Sequence, residues 1–224
     1  MFRLLGLFRT SPFMIRVTYA LTIIQNAFSR LFSRRRNTSP DGGYRWLPPA
    51  GVPINGQSVG EVSSIPFGKF KMSYNGCTVI AAYNALCILG DKVPLYDAAD
   101  YFERRGIIFS GALGVHPLSV GRYLESRGHR VKTVYGKRMS ARDDLDNELH
   151  GAKAAVLVCW NSPSVRHADG SLVGAHAVAV AKDGDGVTVF NAHDARPIPS
   201  RYDSLASYIK KENMLPIVMF TADK

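Results

Sequence analysis

Cysteine is scarce in this chain, and its few cysteines show no paired spacing. The 224 residues contain only Cys77, Cys87 and Cys159, an odd number that does not suit a disulfide-stapled secreted protein. Cys-x-x-Cys, His-Glu-x-x-His and glycine-rich phosphate-loop motifs are also missing from the sequence. We therefore expect no metal site and no cofactor, and the expected compartment is the cytoplasm.

Acidic residues are absent from the first 36 positions, where seven arginines give a charge of +7. The other 188 residues contribute only +3 to the net charge of +10, so the larger part of the chain is nearly neutral. This uneven distribution indicates no general nucleic-acid surface. Long apolar runs are lacking too, because polar residues interrupt the N-terminal segment before it reaches the roughly 18 apolar residues of a membrane-spanning helix. It also has no compact apolar block followed by a cleavage site of small residues, which argues against a secretory signal.

The N-terminal segment nevertheless has one apolar face. Its large apolar side chains recur at spacings of three and four, as on one side of a helix: Met14, Val17, Leu21, Ile24, Phe28 and Leu31. With the arginines, this pattern predicts a helix that lies on an anionic membrane surface or binds a partner, which would make any membrane attachment peripheral. The same pattern also fits a helix packed on the rest of the protein, or a poorly ordered extension.

Three regions follow from these changes in composition. Residues 1–36 form the basic amphipathic segment, and residues 37–64, rich in proline and glycine, are typical of a linker. Residues 65–224 are predicted to form the folded domain. With 46% hydrophobic and 21% charged residues, the chain can bury one sizeable core.

Within this domain, helical and alternating patterns follow one another along the chain. Helices are predicted from residue 77 to Gly90 and at 94–105, 117–127, 140–149 and 202–211, and strands at 129–135, 154–160, 176–181, 187–190 and 216–221. This order predicts an α+β fold of two layers, in which an N-terminal helical layer packs on a mainly antiparallel β-sheet.

Cys77 differs from the other two cysteines because it lies where a loop changes to a helix. Asn75 precedes it as a possible N-cap, and Gly90 is suited to end the helix. The start of a helix favours a thiolate over a thiol, so we expect a depressed pKa for Cys77. Cys87 lies in the middle of the helix and Cys159 lies within a predicted strand, where free cysteines are usually small buried hydrophobes.

A candidate base and a candidate orienting residue lie about a hundred residues further on. His176 begins an alternating strand, and a Gly/Asp-rich turn leads to a return strand that ends at Asn191. Antiparallel pairing would bring Asn191 back beside His176. Asp194 is the alternative third residue, and His193 is a weaker candidate for the base. The remaining four histidines are expected at the surface: His116, His129, His150 and His167.

This order of residues resembles the papain-like cysteine peptidase superfamily, and more closely its bacterial branch related to the double-glycine leader peptidases of bacteriocin exporters. The similarity runs over about residues 65–221, and its segments are Asn75-Gly76-Cys77 with Ala81–Ala85 and Leu89-Gly90, then Gly111–Arg127, then the hairpin His176–Asn191. It implies a papain-like fold, a peptide or protein substrate, Cys77 as nucleophile, His176 as general base and acid, and Asn191 as the residue that orients His176.

One position departs from that family's pattern. About six residues before the cysteine, where such peptidases usually carry a glutamine that donates to the oxyanion, this chain has Lys71. Asn75 then becomes the candidate oxyanion donor, together with the backbone N–H of Cys77. The sequence thus predicts a thiol-dependent peptidase. The alternative is a catalytically weak or inactive peptide-binding module of the same fold, tethered to a membrane by the basic segment.

Overall fold

The computed structural model describes residues 12–32, 49–136, 143–160, 174–193 and 195–223. The helices are α1 (Pro12–Phe32), α2 (Met72–Asn75), α3 (Cys77–Leu89), α4 (Leu95–Arg105), α5 (Leu118–Ser126), α6 (Asp143–His150) and α7 (Leu205–Lys211). The strands are β1 (Pro66–Phe67), β2 (Phe70–Lys71), β3 (Arg130–Tyr135), β4 (Ala154–Trp160), β5 (Ala175–Asp183), β6 (Gly186–Phe190), β7 (Ser200–Tyr202) and β8 (Leu215–Asp223).

Six of these strands form one sheet in the order β3-β8-β4-β5-β6-β7, and every neighbouring pair is antiparallel. The central strand β4 is apolar on both faces, because its side chains alternate between two separate core clusters. Ala154, Val156 and Val158 belong to one cluster. Leu157 and Cys159 belong to the other.

Helices cover both faces of this sheet. On the first face α3 packs against β4 and β5, while α5 packs against β3 and β8 and α4 contacts both of these helices. On the second face, Leu145 and Leu149 of α6 and Leu205 and Tyr208 of α7 pack into the second core cluster. The predicted α+β class with an antiparallel sheet is confirmed. The second helical layer was not predicted, since α6 and α7 are short and lie far apart in the sequence.

Helix α3 is the central element of the first face. Ten of its thirteen residues are buried, so it is apolar around almost its whole circumference. It ends as predicted at Gly90, whose φ of 89° lies in the left-handed region that favours glycine. The Gly90 and Asp91 N–H groups donate to the carbonyls of Cys87 and Leu86, which satisfies the last turn of the helix.

Within residues 49–64, which the sequence pattern assigns to the linker, Val52 and Ile54 contact α3. Ile54 is buried, and its backbone N–H and carbonyl form a reciprocal pair with the side-chain amide of Asn84, at 2.8 and 2.7 Å. Tyr83 donates its hydroxyl proton to the Val52 carbonyl at 3.0 Å. The backbone from Val52 onwards therefore belongs to the packed domain. The earlier part of the predicted linker lies outside the described residues.

Helix α1 is formed where the N-terminal periodicity predicts a helix, and it packs on α4 and α5. Over the described parts of the chain, no helix is both long enough and apolar enough to cross a membrane.

One predicted helix begins later than expected. The segment predicted as helix at 202–211 starts with the last residue of β7, and helix α7 begins only at Leu205. The reason is a capping box, in which Ser204 and Ser207 each accept a hydrogen bond from the other's backbone N–H.

Candidate functional site

Cys77 is the first residue of α3 and is half-buried. The hydrogen-bond ladder of α3 begins with the Ile80 N–H, which donates to the Gly76 carbonyl at 3.0 Å. The N–H groups of the first turn therefore have no acceptor within their own helix, and the positive end of the helix dipole lies at the thiol. Gly76 has no room for a side chain, because a Cβ there would lie 2.5 Å from the backbone carbonyl oxygen of Met72.

Asn75 does not have the role of N-cap that its sequence position suggests. It is the last residue of α2, the N-cap position of α3 is Gly76, and among the described residues no side chain caps that helix. The Asn75 amide is buried, and its nitrogen donates to the carbonyls of Gly111 at 3.2 Å and Phe67 at 3.4 Å. Both amide hydrogens thus hold neighbouring loops together, and in this arrangement neither is available to an oxyanion. Lys71, which occupies the position where the peptidases that the sequence resembles usually carry a glutamine, is exposed at the end of β2.

The other two thiols lie in environments that disfavour the thiolate. Burial raises the pKa of Cys87 in the middle of α3. Burial also raises the pKa of Cys159, which is 1% exposed. Cys159 is paired directly with His176 across the β4–β5 ladder, so a thiol and an imidazole are neighbours there. Because its side chain is closed off from solvent, Cys159 cannot meet a peptide carbonyl.

His176 is the second residue of β5 and is 8% exposed. Its Nε2 lies 2.7 Å from the backbone carbonyl oxygen of Asn191. A carbonyl oxygen can only accept, so Nε2 carries the hydrogen of this bond. In the neutral imidazole Nδ1 is then the basic nitrogen, which is the protonation pattern that a general base requires.

Asn191 contacts His176 through its main chain, while its side chain faces another element. The residue follows β6 and has a φ of 58°, a left-handed conformation that asparagine tolerates better than most residues. Its side-chain nitrogen donates to Gln57 Oε1 at 3.2 Å, and its Oδ1 accepts from the Gln57 backbone N–H at 3.1 Å. Its own N–H donates to Asn55 Oδ1 at 2.9 Å. These three bonds fix the direction of the carbonyl that holds His176.

Gln57 extends this network to the nucleophile helix. Its side-chain nitrogen donates to the Ser73 carbonyl at 3.0 Å, and Ser73 belongs to α2, which ends directly before Gly76 and Cys77. The start of β5, the end of β6 and helix α2, which directly precedes α3, are therefore joined by successive hydrogen bonds. Sequence reasoning missed Asn55 and Gln57. Their only local signal is an Asn-Gly turn, which gives no hint of a partner 134 residues away.

The remaining candidates are less well placed. Asp194, the alternative third residue, lies outside the described residues. His193 is half-buried with Nε2 3.7 Å from Glu212 Oε1. The expectation of surface histidines was wrong for His116 and His129, which are 4% and 8% exposed. Thr18 of α1 lies against His116, and His129 Nε2 lies 2.8 Å from Asp91 Oδ2.

Comparisons with known proteins add little to this geometry. No family model matches the chain, and no curated protein matches it. Among solved structures, the crystal structure of the Pseudomonas avirulence protein AvrPphB is weakly similar, with a TM-score of 0.31 and 11% sequence identity. The match covers 71% of this chain and 97% of that chain. A likeness at this TM-score carries no argument about mechanism.

Proposed function

We propose that the protein is a cysteine peptidase of papain-like fold that hydrolyses peptide bonds in a peptide or protein substrate. The observation that carries the proposal is the orientation of His176. Its Nε2 is held by the Asn191 carbonyl, and Asn191 is tied through Gln57 to the segment that precedes Cys77. A thiol at a helix start and an imidazole in a fixed tautomer are the two groups that thiol acyl transfer needs.

In the first half of the reaction, His176 Nδ1 takes the Cys77 proton and the sulfur attacks the substrate carbonyl carbon. A C–S bond forms, and the carbonyl oxygen becomes an oxyanion. When the oxyanion collapses, the C–N bond breaks, and the imidazolium gives the proton to the leaving amine. The products of this half are the free amine and a thioester on Cys77.

In the second half, water replaces the amine. Nδ1 takes a proton from the water as it attacks the thioester, and the C–S bond breaks to release the carboxylic acid. The sulfur leaves as a thiolate and recovers the proton from the imidazolium. Throughout, the Asn191 carbonyl accepts from Nε2–H, which keeps the ring oriented and favours its positive charge.

In this proposal the backbone N–H of Cys77 is the donor that stabilises the oxyanion. The N–H of Cys77 begins a helix, where the dipole favours negative charge. A preorganised donor of this kind is worth roughly 3–4 kcal/mol of barrier in other acyl-transfer enzymes.

The test compares the three cysteines directly. We expect a thiol-directed peptide probe to label the wild-type protein, Cys87→Ala and Cys159→Ala at equal rates, and not to label Cys77→Ala. His176→Ala should reduce peptide turnover by a factor on the order of 10⁶, because a nucleophile and its base act as a unit. Equal labelling of all three single alanine variants would contradict the proposal. Loss of labelling in Cys159→Ala with labelling retained in Cys77→Ala would contradict both the proposal and the burial of Cys159.

The engaged amide of Asn75 favours a second candidate function, a peptide-binding module with weak or no activity. Both amide hydrogens of Asn75 are donated to carbonyls, and Lys71 is exposed. Of these two residues before Cys77, which the sequence analysis singled out, neither provides an amide donor for an oxyanion. The two functions differ in the fate of the bound peptide. A peptidase releases cleaved peptide, whereas the module would bind the same peptide with equal affinity in the wild type and in Cys77→Ala and release nothing.

A further inference from the structure

The docked helix α1 has its apolar side on the outside. The side chains it turns towards the body include polar groups, with Thr22 and Asn26 both 4% exposed and Thr18 Oγ1 3.0 Å from His116 Nε2. Ile15 is the apolar residue buried among them. Tyr19 also faces the body, with its ring centroid 5.1 Å from that of His116. A helix that packs on a soluble domain normally directs its apolar stripe inwards, yet most of the large apolar side chains described on α1 are exposed.

The outward stripe is continuous along four turns. Its members follow one another at spacings of four, four, three and four and lie between 37% and 70% exposed: Phe13, Val17, Leu21, Ile24 and Phe28. Contiguous large apolar side chains on a surface mark a site of interaction rather than an ordinary solvated face. We call these five residues the outer stripe.

Charge identifies the partner of the outer stripe. Arg16 is exposed beside it on α1, and the first 36 residues of the chain carry seven arginines and no acidic residue. A second copy of the chain would bring two equally basic segments together, which like-charge repulsion opposes. An anionic lipid surface offers both an apolar layer for the stripe and negative charge for the arginines.

We propose that α1 attaches the protein to the surface of an anionic membrane, with its polar side on the body and its outer stripe in the lipid interface. The helix is 21 residues long and lies along the membrane surface. This attachment is independent of the proposed peptidase activity, because it uses none of the residues at the catalytic centre.

The test uses the full chain and two matched double variants. Leu21→Gln with Ile24→Gln removes the middle of the outer stripe, and Leu113→Gln with Ile198→Gln makes the same chemical change at residues that are 66% and 68% exposed elsewhere. All four positions are at the surface, so folding should survive, as judged by circular dichroism and by the rate of Cys77 alkylation. Point variants are preferable to deleting α1, since deletion would also uncover the body beneath it.

Sedimentation with phosphatidylserine–phosphatidylcholine vesicles at low salt is the measurement. We expect the wild type and the control variant to bind, the stripe variant to bind at least about tenfold more weakly, and binding to fall as salt is raised. Vesicles of phosphatidylcholine alone should bind poorly. Equal binding of the stripe and control variants, equal binding to both lipids, or no binding of the wild type would overturn the proposal. So would a wild-type dimer in analytical ultracentrifugation that the stripe variant dissociates.

Discussion

Helices α1 and α3 are both apolar in sequence, yet they occupy opposite situations in the molecule. In α3 the apolar residues surround the helix, and ten of thirteen positions are buried between the sheet and α4. In α1 the outer stripe is exposed, whereas Ile15 is buried against the body. Apolar periodicity thus shows which face of a helix is suited to burial, but it does not show whether the protein itself or a partner covers that face. Changing one helix or its contacts, with the other left as the reference, tests this contrast.

The largest effect is expected in the core of α3. Leu86 is completely buried, so Leu86→Ala should lower the free energy of unfolding by about 2–5 kcal/mol through lost burial and a residual cavity. Urea denaturation followed by circular dichroism measures this. A loss below about 1 kcal/mol would mean that α3 is less tightly packed than its burial indicates.

Acid should weaken the contact between α1 and the body. Burial lowers the pKa of His116 to about 4, and the ring is neutral, with Nδ1 accepting from the Leu118 N–H at 3.3 Å and Nε2 facing Thr18. The folded state binds no proton at this ring until about pH 4, whereas the unfolded state binds one below about pH 6.5. Stability should therefore fall as pH drops from about 6.5 to about 4, by up to roughly 3 kcal/mol, and this pH dependence is absent above about pH 6.5.

The control for that pH dependence is His116→Asn. Asparagine keeps an acceptor near the Leu118 N–H but does not titrate, so the slope between about pH 6.5 and about pH 4 should be shallower in this variant than in the wild type. Parallel curves for the two proteins would assign the acid sensitivity to other groups.

A smaller effect is expected where α2, the helix before α3, is linked to the end of β6 through Gln57. At similar volume, Gln57→Met removes the side-chain acceptor of the Asn191 amide and the donor to the Ser73 carbonyl, so His176 should be less firmly oriented. If the peptidase proposal holds, we expect kcat to fall on the order of tenfold, about 1.4 kcal/mol, with little change in KM. The pH profile of Cys77 alkylation should shift as well. Gln25→Met on α1 is the matched control, and an equal loss in both variants would indicate a general effect on folding.

The smallest effect is expected on the outer face of α1. Leu21 is 59% exposed, so Leu21→Ala should change the free energy of unfolding by less than about 0.5 kcal/mol. The measurement is the same denaturation curve as for Leu86→Ala. A larger loss would show that Leu21 is covered within the protein in solution.

Local sequence was enough to predict much of the framework. Helix α3 from Cys77 to Leu89, its end at Gly90 and strand β4 from Ala154 to Trp160 were all predicted from periodicity and turn residues. These features depend on interactions between residues close in the chain, and such interactions are encoded by spacing and backbone preference. The position of Cys77 at the start of a helix was likewise predicted from the local sequence.

The sequence by itself thus determined the longer helices, the hairpin and the three residues proposed for catalysis, but not the short helix α2 or the start of α7. Only the tertiary structure decided that Asn191 meets His176 through its carbonyl, that Gln57 supports Asn191, and that the Asn75 amide serves two loops. It also decided which side of α1 faces the body. Each of these outcomes depends on which distant groups come together when the chain folds. Local spacing does not determine the direction of these side chains, and a left-handed turn or a neighbouring loop can change it.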